Sequence, residues 1–318
     1  MGLKPNLAGL APVAAMVAVM FFIVGQATLT KAALSKGISS FVFVAYSNAL
    51  ATLILLPPSF LFQRTTRPPL SFLLLCKFFL MSLCLFTVMQ NCIAVGISYS
   101  SPTLSTAMSN LIPAFTFLLA VIFRIEKVDL RKSTSQVKIM GSLVSISGAL
   151  IVTLYEGPAI GSLLVLSLSV SAQDSFPSQP SHFDMLATES TWLLGAVFLA
   201  IAYLSVSMGF TYQAAILKEY PSELAIVAFC CLFATIQCTA VALFAERNNP
   251  SAWKLSLDVE VVAVVYSAVV GTVLTATVQA WCIHKKGPVF AAMFSPVSIA
   301  IAVLFSTIFL GDTLHVGR

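Results

Sequence analysis

Gln90 and Asn91 stand side by side in a long run of apolar residues. Asn48, Asn110, Gln213, Gln237 and Gln279 are set singly into similar runs, the last with Trp281 two residues on. A primary amide surrounded by apolar neighbours needs a hydrogen-bond partner, either another helix or a wet cavity. Amides, aromatics and helix ends suit recognition of a zwitterion or an indole acid, and they make and break no covalent bonds. Lys31, near the end of the first apolar run, could meet a carboxylate or simply reach out to a membrane interface. Nothing else in the chain is arranged for chemistry. There is no nucleophile–base set, phosphate loop or metal-ligand cluster, and the three histidines (His182, His284, His315) fall in loops or at the ends of apolar runs. The seven cysteines lie in or beside apolar stretches without zinc-site spacing and read as small apolar filler. No catalysis is therefore expected, and no cofactor or metal is implied. The candidate substrate-binding residues are Gln90, Asn91, Asn110, Gln279, Trp281, Gln213 and Lys31.

The elements that hold these amides must be bathed in lipid. Of 318 residues, 58% are hydrophobic and 9% charged, and mean hydropathy is +0.97. A water-soluble domain carries about 25% charged residues. The net charge of +5 comes without a basic patch interleaved with aromatics, which excludes nucleic acid as a partner. A crossing helix needs about 20 apolar residues, and nine segments qualify: 12–30, 41–62, 71–96, 103–123, 137–155, 192–213, 223–245, 259–283 and 288–310. Irregular backbone cannot face lipid, so each is expected to be α-helical. Pro113 and Pro296 fall inside the fourth and ninth, where a kink or a broken backbone is expected. The run from about Pro12 to Leu29 reads as a first span rather than a cleaved signal peptide.

With the N-terminus inside, twelve of the seventeen Lys and Arg residues fall on the inner side and five on the outer. The 156–191 segment has no Lys or Arg but carries Glu156, Asp174, Asp184 and Glu189, and reads as an acidic, non-cytosolic linker. No Asp or Glu lies deep in a span. Intramembrane carboxylates are the usual proton relays, so facilitated diffusion or weak coupling is expected. A channel would need a ring of charges or a carbonyl filter, and neither motif is present.

The chain also resembles itself. Ala32-Ala33, Lys36 and Ser40 recur as Ala214-Ala215, Lys218 and Ser222, an offset of 182. Pro102, Ser109, Ala114, Leu118, Ile122 and Phe123 recur as Pro288, Ser295, Ala300, Leu304, Ile308 and Phe309, an offset of 186. Five spans precede the linker, an odd number, so the second copy enters from the opposite side. Inverted repeats of this kind underlie alternating-access carriers, with the substrate near the midplane. The expected division is 1–155 for the first repeat, 156–191 for the linker and 192–318 for the second. A counterpart of the fifth span would begin after Gly317, and with the sequence ending at Arg318 the second repeat is expected to hold four helices.

Several short motifs carry a family resemblance: Lys218-Glu219-Tyr220-Pro221 with Glu223-Leu224, Trp253, Lys285-Lys286-Gly287-Pro288-Val289-Phe290, Phe294-Ser295-Pro296, Leu310-Gly311-Asp312 and Leu154-Tyr155-Glu156-Gly157-Pro158. With them the chain resembles the plant nodulin-21-like, walls-are-thin-related (UMAMIT) transporters, which are EamA-type members of the drug/metabolite transporter superfamily. The resemblance implies ten spans in two inverted five-helix halves. It also implies export or facilitated movement of amino acids, auxin-like acids or other small metabolites across the plasma membrane or the vacuolar membrane, the plasma membrane being the favoured expectation. The family usually has Glu where Asp312 stands and continues into a tenth helix. A second reading is accordingly a non-transporting, truncated isoform that acts as a membrane-embedded regulatory partner of full-length carriers, as a homo- or hetero-oligomer.

Overall fold

The computed structural model describes residues 4–34, 36–61, 71–99, 102–125, 182–255 and 258–305, with parts of 136–147. Among the described residues every regular element is helical and there is no strand, as a lipid environment demands of a chain that must satisfy its own backbone. In chain order the helices are α1 (Lys4–Leu34), α2 (Ser40–Leu61), α3 (Phe72–Ser82), α4 (Met89–Tyr99), α5 (Pro102–Ser109), α6 (Leu111–Ile122), α7 (His182–Glu219), α8 (Glu223–Ala245), α9 (Val259–Tyr266), α10 (Thr275–Lys286), α11 (Pro288–Ala292) and α12 (Ser295–Phe305). Two π-helical segments, Leu83–Val88 and Ser267–Leu274, join α3 to α4 and α9 to α10.

Six stretches are long and apolar enough to cross a membrane: Leu10–Leu34, Ser40–Ser59, Phe72–Ile97, Trp192–Glu219, Glu223–Ala245 and Val259–Lys286. The chain is an integral, multi-pass membrane protein. The fourth and ninth spans are interrupted, as their prolines lead one to expect. The breaks fall at Asn110 and at Met293–Phe294. Each lies three residues before its proline, where the ring would collide with a continuous preceding turn. Pro113 and Pro296 then sit in the first turn of α6 and α12, where a missing N–H costs nothing. Most of the expected fifth span, the linker before 182 and residues 306–318 lie outside the described residues. α7 begins at His182, so span six reaches about three turns into the expected linker. At the α10–α11 junction the backbone turns through Gly287 at φ +91°, a conformation that only glycine adopts without strain.

The packing has an internal two-fold logic. α1 lies against α9, the second π segment, α10 and α12, while α7 lies against α4, the first π segment and α6. α2 pairs with α8, and α11 with α6. For these contacts, exchanging each span of the first half with its counterpart in the second returns the same partners. The π segments begin at 83 and 267, 184 apart. A glycine on the first helix of the opposite half meets the first segment (Gly209) or the residue just before the second (Gly25), and these two glycines are also 184 apart. A Cβ at Gly209 would lie 2.5 Å from Leu85 Cγ, and one at Gly25 would lie 2.6 Å from the Tyr266 hydroxyl. Small residues let helices approach this closely where lipid supplies no hydrophobic drive. The main core gathers Met16, Val19, Phe78, Met81, Leu199, Tyr203, Tyr220 and Phe229 from both halves. Phe78 is its hub, stacked on Phe229 at 5.5 Å and edge-on to Tyr220 at 5.9 Å.

Gly209→Ala should force Leu85 and the adjacent bend to shift, lowering stability by about 1–3 kcal/mol. Thermal unfolding of the detergent-solubilised protein, followed by size-exclusion fluorescence, checks this. An unchanged melting temperature would show that the two helices are not held in contact there.

Candidate functional site

A π segment widens the helix and loosens its ladder of hydrogen bonds. In lipid, other groups must make good what is lost. At the first bend those groups come from the opposite half. Gln237 Nε2 on α8 donates to the Phe79 carbonyl at 3.2 Å, and Ser205 Oγ on α7 donates to the Cys84 carbonyl at 3.1 Å. Thr87, inside the bend, donates to Gln237 Oε1 at 2.6 Å. At the second bend, Gln26 Nε2 on α1 donates to Ser267 Oγ at 2.8 Å, and Thr275 Oγ1 donates to the Val270 carbonyl, five residues back, at 2.9 Å.

Around the first bend these contacts merge into a polar layer buried inside the bundle. Thr52 on α2 and Thr235 on α8 share a hydrogen bond of 2.9 Å. Each stands twelve residues past the start of its helix, Ser40 and Glu223, so the contact lies near mid-span. One turn earlier on α2, Asn48 Nδ2 donates to the Val44 carbonyl at 3.0 Å and to Gln90 Oε1 at 3.3 Å, with Cys238 Sγ at 3.8 Å. Asn48 Oδ1 and Ser47 Oγ are buried without a hydrogen-bond partner among the described residues. Among the described residues the layer contains no ionised side chain.

Among the described residues the charged contacts lie at the two ends. At one, Lys77 forms an ion pair with Glu219 across the halves, and Glu223 meets His284 Nδ1 at 2.5 Å. At the other, Ser39 Oγ donates to Glu246 Oε1 at 2.6 Å, and the Tyr46 hydroxyl donates to the Trp253 carbonyl at 2.9 Å. No three His, Cys, Asp or Glu among the described residues stand together as a metal site.

The residues singled out from sequence are scattered through this frame. Gln90 enters the layer through Asn48. Asn91 turns back along its own helix, its Nδ2 donating to the Thr87 carbonyl at 2.7 Å. Asn110 sits at the break between α5 and α6 with Oδ1 buried and unpaired among the described residues. Gln213 is buried on α7 at 5% exposure. Gln279, like Gln90, lies seven residues before its span's C-terminal end, 286 against 97. It follows its π segment by five residues, however, where Gln90 follows by two. No hydrogen bond among the described residues joins Gln279 to Gln90. Trp281 packs against the main core, and at i+2 from Gln279 it occupies a different helix face. Lys31 belongs to the closing turns of α1, and its side chain is outside the described residues.

Sequence reasoning marked Asn48 as a buried amide but carried neither it nor Thr52 into the candidate set. They stand four apart in an apolar helix, and that spacing puts both on one face. Thr87, Thr235 and Ser267 carried no such signal.

Comparison with known proteins agrees with this architecture. The sequence pattern of the EamA-like transporter family matches residues 10–154 and 193–318. A WAT1-related protein of Arabidopsis thaliana is 45% identical over 307 residues, spanning 96% of this chain and 81% of its own length. A second from the same plant is 42% identical over 309 residues, spanning 96% and 80%. Among solved structures, one crystal structure superposes with a TM-score of 0.61 at 13% identity, covering 96% of this chain and 91% of its own. That likeness is one of fold.

A double-mutant cycle between Thr87→Val and Gln237→Leu should give a coupling of about 0.6 kcal/mol and no more than about 2 kcal/mol. Gln279→Leu, which breaks no hydrogen bond among the described residues, should leave stability unchanged or slightly higher. Thermal denaturation of the four cycle members and of Gln279→Leu tests both. Additive effects in the cycle would mean the Thr87–Gln237 bond adds nothing at the bend.

Proposed function

Since the chain belongs to the EamA-like transporter family, we propose that it carries small metabolites such as amino acids or auxin-like acids by alternating access between two inverted halves. The observation that carries this reading is the uncharged polar layer near mid-span, built by α2, the first π segment, α4 and α8. Polar groups at membrane depth face a partner helix or a solute path. A layer of amides and hydroxyls can exchange hydrogen bonds with a polar solute without first surrendering an ion pair. The halves in this reading are 1–155 and 192–318, joined by the linker 156–191. Matched bends, matched glycines and matched partner helices support that division.

The substrate-facing residues in this reading are Gln90, Asn110, Gln213 and Gln279, with Asn91, Trp281 and Lys31 at the margins. Both interrupted spans flank them, and backbone groups near Asn110 and Met293 add hydrogen-bonding capacity where transporters use broken helices. The end bearing Lys77 and Glu219 is cytosolic by the positive-inside rule. Alternating access then requires the Lys77–Glu219 tie and the Ser39–Glu246 and Tyr46–Trp253 ties to open in turn, because both sets join the halves. The membrane in question is the plasma membrane, which a fluorescent fusion viewed against plasma-membrane and tonoplast dyes checks.

The deciding experiment is efflux of radiolabelled amino acids and indole-3-acetate from oocytes expressing the chain, with surface expression measured. Efflux above that of water-injected cells is expected. Gln90→Leu and Gln279→Leu should each cut it by about tenfold or more, the worth of one hydrogen bond to a charged group. No efflux of any tested solute from cells with the protein at the surface would sink the proposed substrate class.

A further inference from the structure

Gln90 lies within the layer that the proposed function reads as the solute path, and its orientation is set by a chain of obligatory hydrogen bonds. The Val44 carbonyl can only accept, so the arm of Asn48 that approaches it at 3.0 Å has to be Nδ2. Asn48 is 1% exposed and has no room to share that role with water. Its second Nδ2 hydrogen is shared between Gln90, 3.3 Å away, and the weaker acceptor Cys238 Sγ at 3.8 Å. Gln90 must answer with Oε1, because the opposite rotamer would set two NH2 groups against each other. Gln90 Nε2 is thereby turned away from Asn48, and no acceptor among the described residues takes its two hydrogens.

We infer that the Val44–Asn48–Gln90 relay makes Gln90 a donor-only contact that selects solutes bearing a carboxylate over those bearing only an ammonium group. Asn48 acts as the positioning residue and Gln90 as the specificity-determining one. A carboxylate receives the Nε2 hydrogens. An amine finds two donors facing its own and is rejected, as a site built for one hydrogen-bonding sense rejects the other. The layer's lack of ionised side chains strengthens the effect, since Gln90 meets no competing charge there. This inference rests on the proposed solute path, and the experiment below separates the two.

Tryptophan, indole-3-propionate and tryptamine share a ring and carry, respectively, both groups, the acid alone and the amine alone. Oocyte transport of the three should be measured for the wild-type chain, for Gln90→Glu and for Asn48→Leu, normalised to surface protein. The wild-type chain should move tryptophan and indole-3-propionate about tenfold or more faster than tryptamine, the discrimination that one hydrogen bond to a charged group supplies. Gln90→Glu keeps an oxygen for Asn48 but presents a second oxygen where the donors stood, so the acid-to-amine ratio should invert. Asn48→Leu frees Gln90 to rotate, and the ratio should fall toward one. A purely structural Gln90 predicts slower transport at an unchanged ratio. If Gln90→Glu retains the wild-type ratio, the inference is overturned while the carrier reading stands. The wild-type chain alone provides a test independent of variant folding: tryptamine moving as fast as indole-3-propionate overturns the inference. If the wild-type chain moves none of the three, the proposed path falls and takes the inference with it.

Discussion

A carbonyl oxygen loosened from its helix in the middle of a bilayer has no water to turn to, and each unmet polar group there costs several kcal/mol. That constraint organises this molecule. Beside the π segments of spans three and eight the opposite half brings a donor within reach: Gln237 and Ser205 to the Phe79 and Cys84 carbonyls, and Gln26 to the Ser267 hydroxyl. A bend could not move along its span without leaving its donor behind. The polar groups required to hold the bends are also what gives the interior a hydrogen-bonding surface. Structural support and solute recognition thus draw on the same residues, with Gln237 turned to the backbone and Gln90 left with donors to offer.

Glycine makes this support possible at close range. Gly25 and Gly209 bring the first helix of each half against the bend of the other, where a methyl group would meet Tyr266 or Leu85 at less than contact distance. Packing of this kind holds two shapes poorly in between, because interdigitated side chains tolerate small shifts or discrete jumps. The charged and hydroxyl ties at the two ends, Lys77–Glu219 and Ser39–Glu246, add the other ingredient of a two-position device. They are contacts near water that break at little cost.

Much of this was legible before any coordinates. The apolar runs marked the spans because lipid leaves a helix no alternative, and Pro113 and Pro296 marked the two interruptions, although Pro12, Pro57 and Pro58 sit inside continuous helices. The faint repeat of Pro102 and Ser109 in Pro288 and Ser295 foreshadowed the two-fold packing. The π bends were not legible. Leu83–Val88 and Ser267–Leu274 contain no proline, and their residues would sit as well in an ordinary α-helix. The same holds for the site: a run of amides says that partners exist, but only the helix faces decide that Asn48 orients Gln90 while Asn91 turns back to Thr87. Trp281 shows the same dependence, since two residues along a helix put it on a different face from Gln279.

The hydrogen bond between Thr52 and Thr235 joins residues separated by 183 positions, within the range of offsets that relates the two halves throughout. The partners are therefore counterparts of one another, and the bond sits on the axis that exchanges the halves. A contact on such an axis needs only one kind of residue. A half-length chain meeting an upside-down copy of itself would form the same threonine-to-threonine bond from a single codon. The centre of the molecule is thus the one place where gene duplication and fusion demand no new complementarity. Every contact away from the axis, Asn48 with Gln90 among them, became free after fusion to change on one side alone.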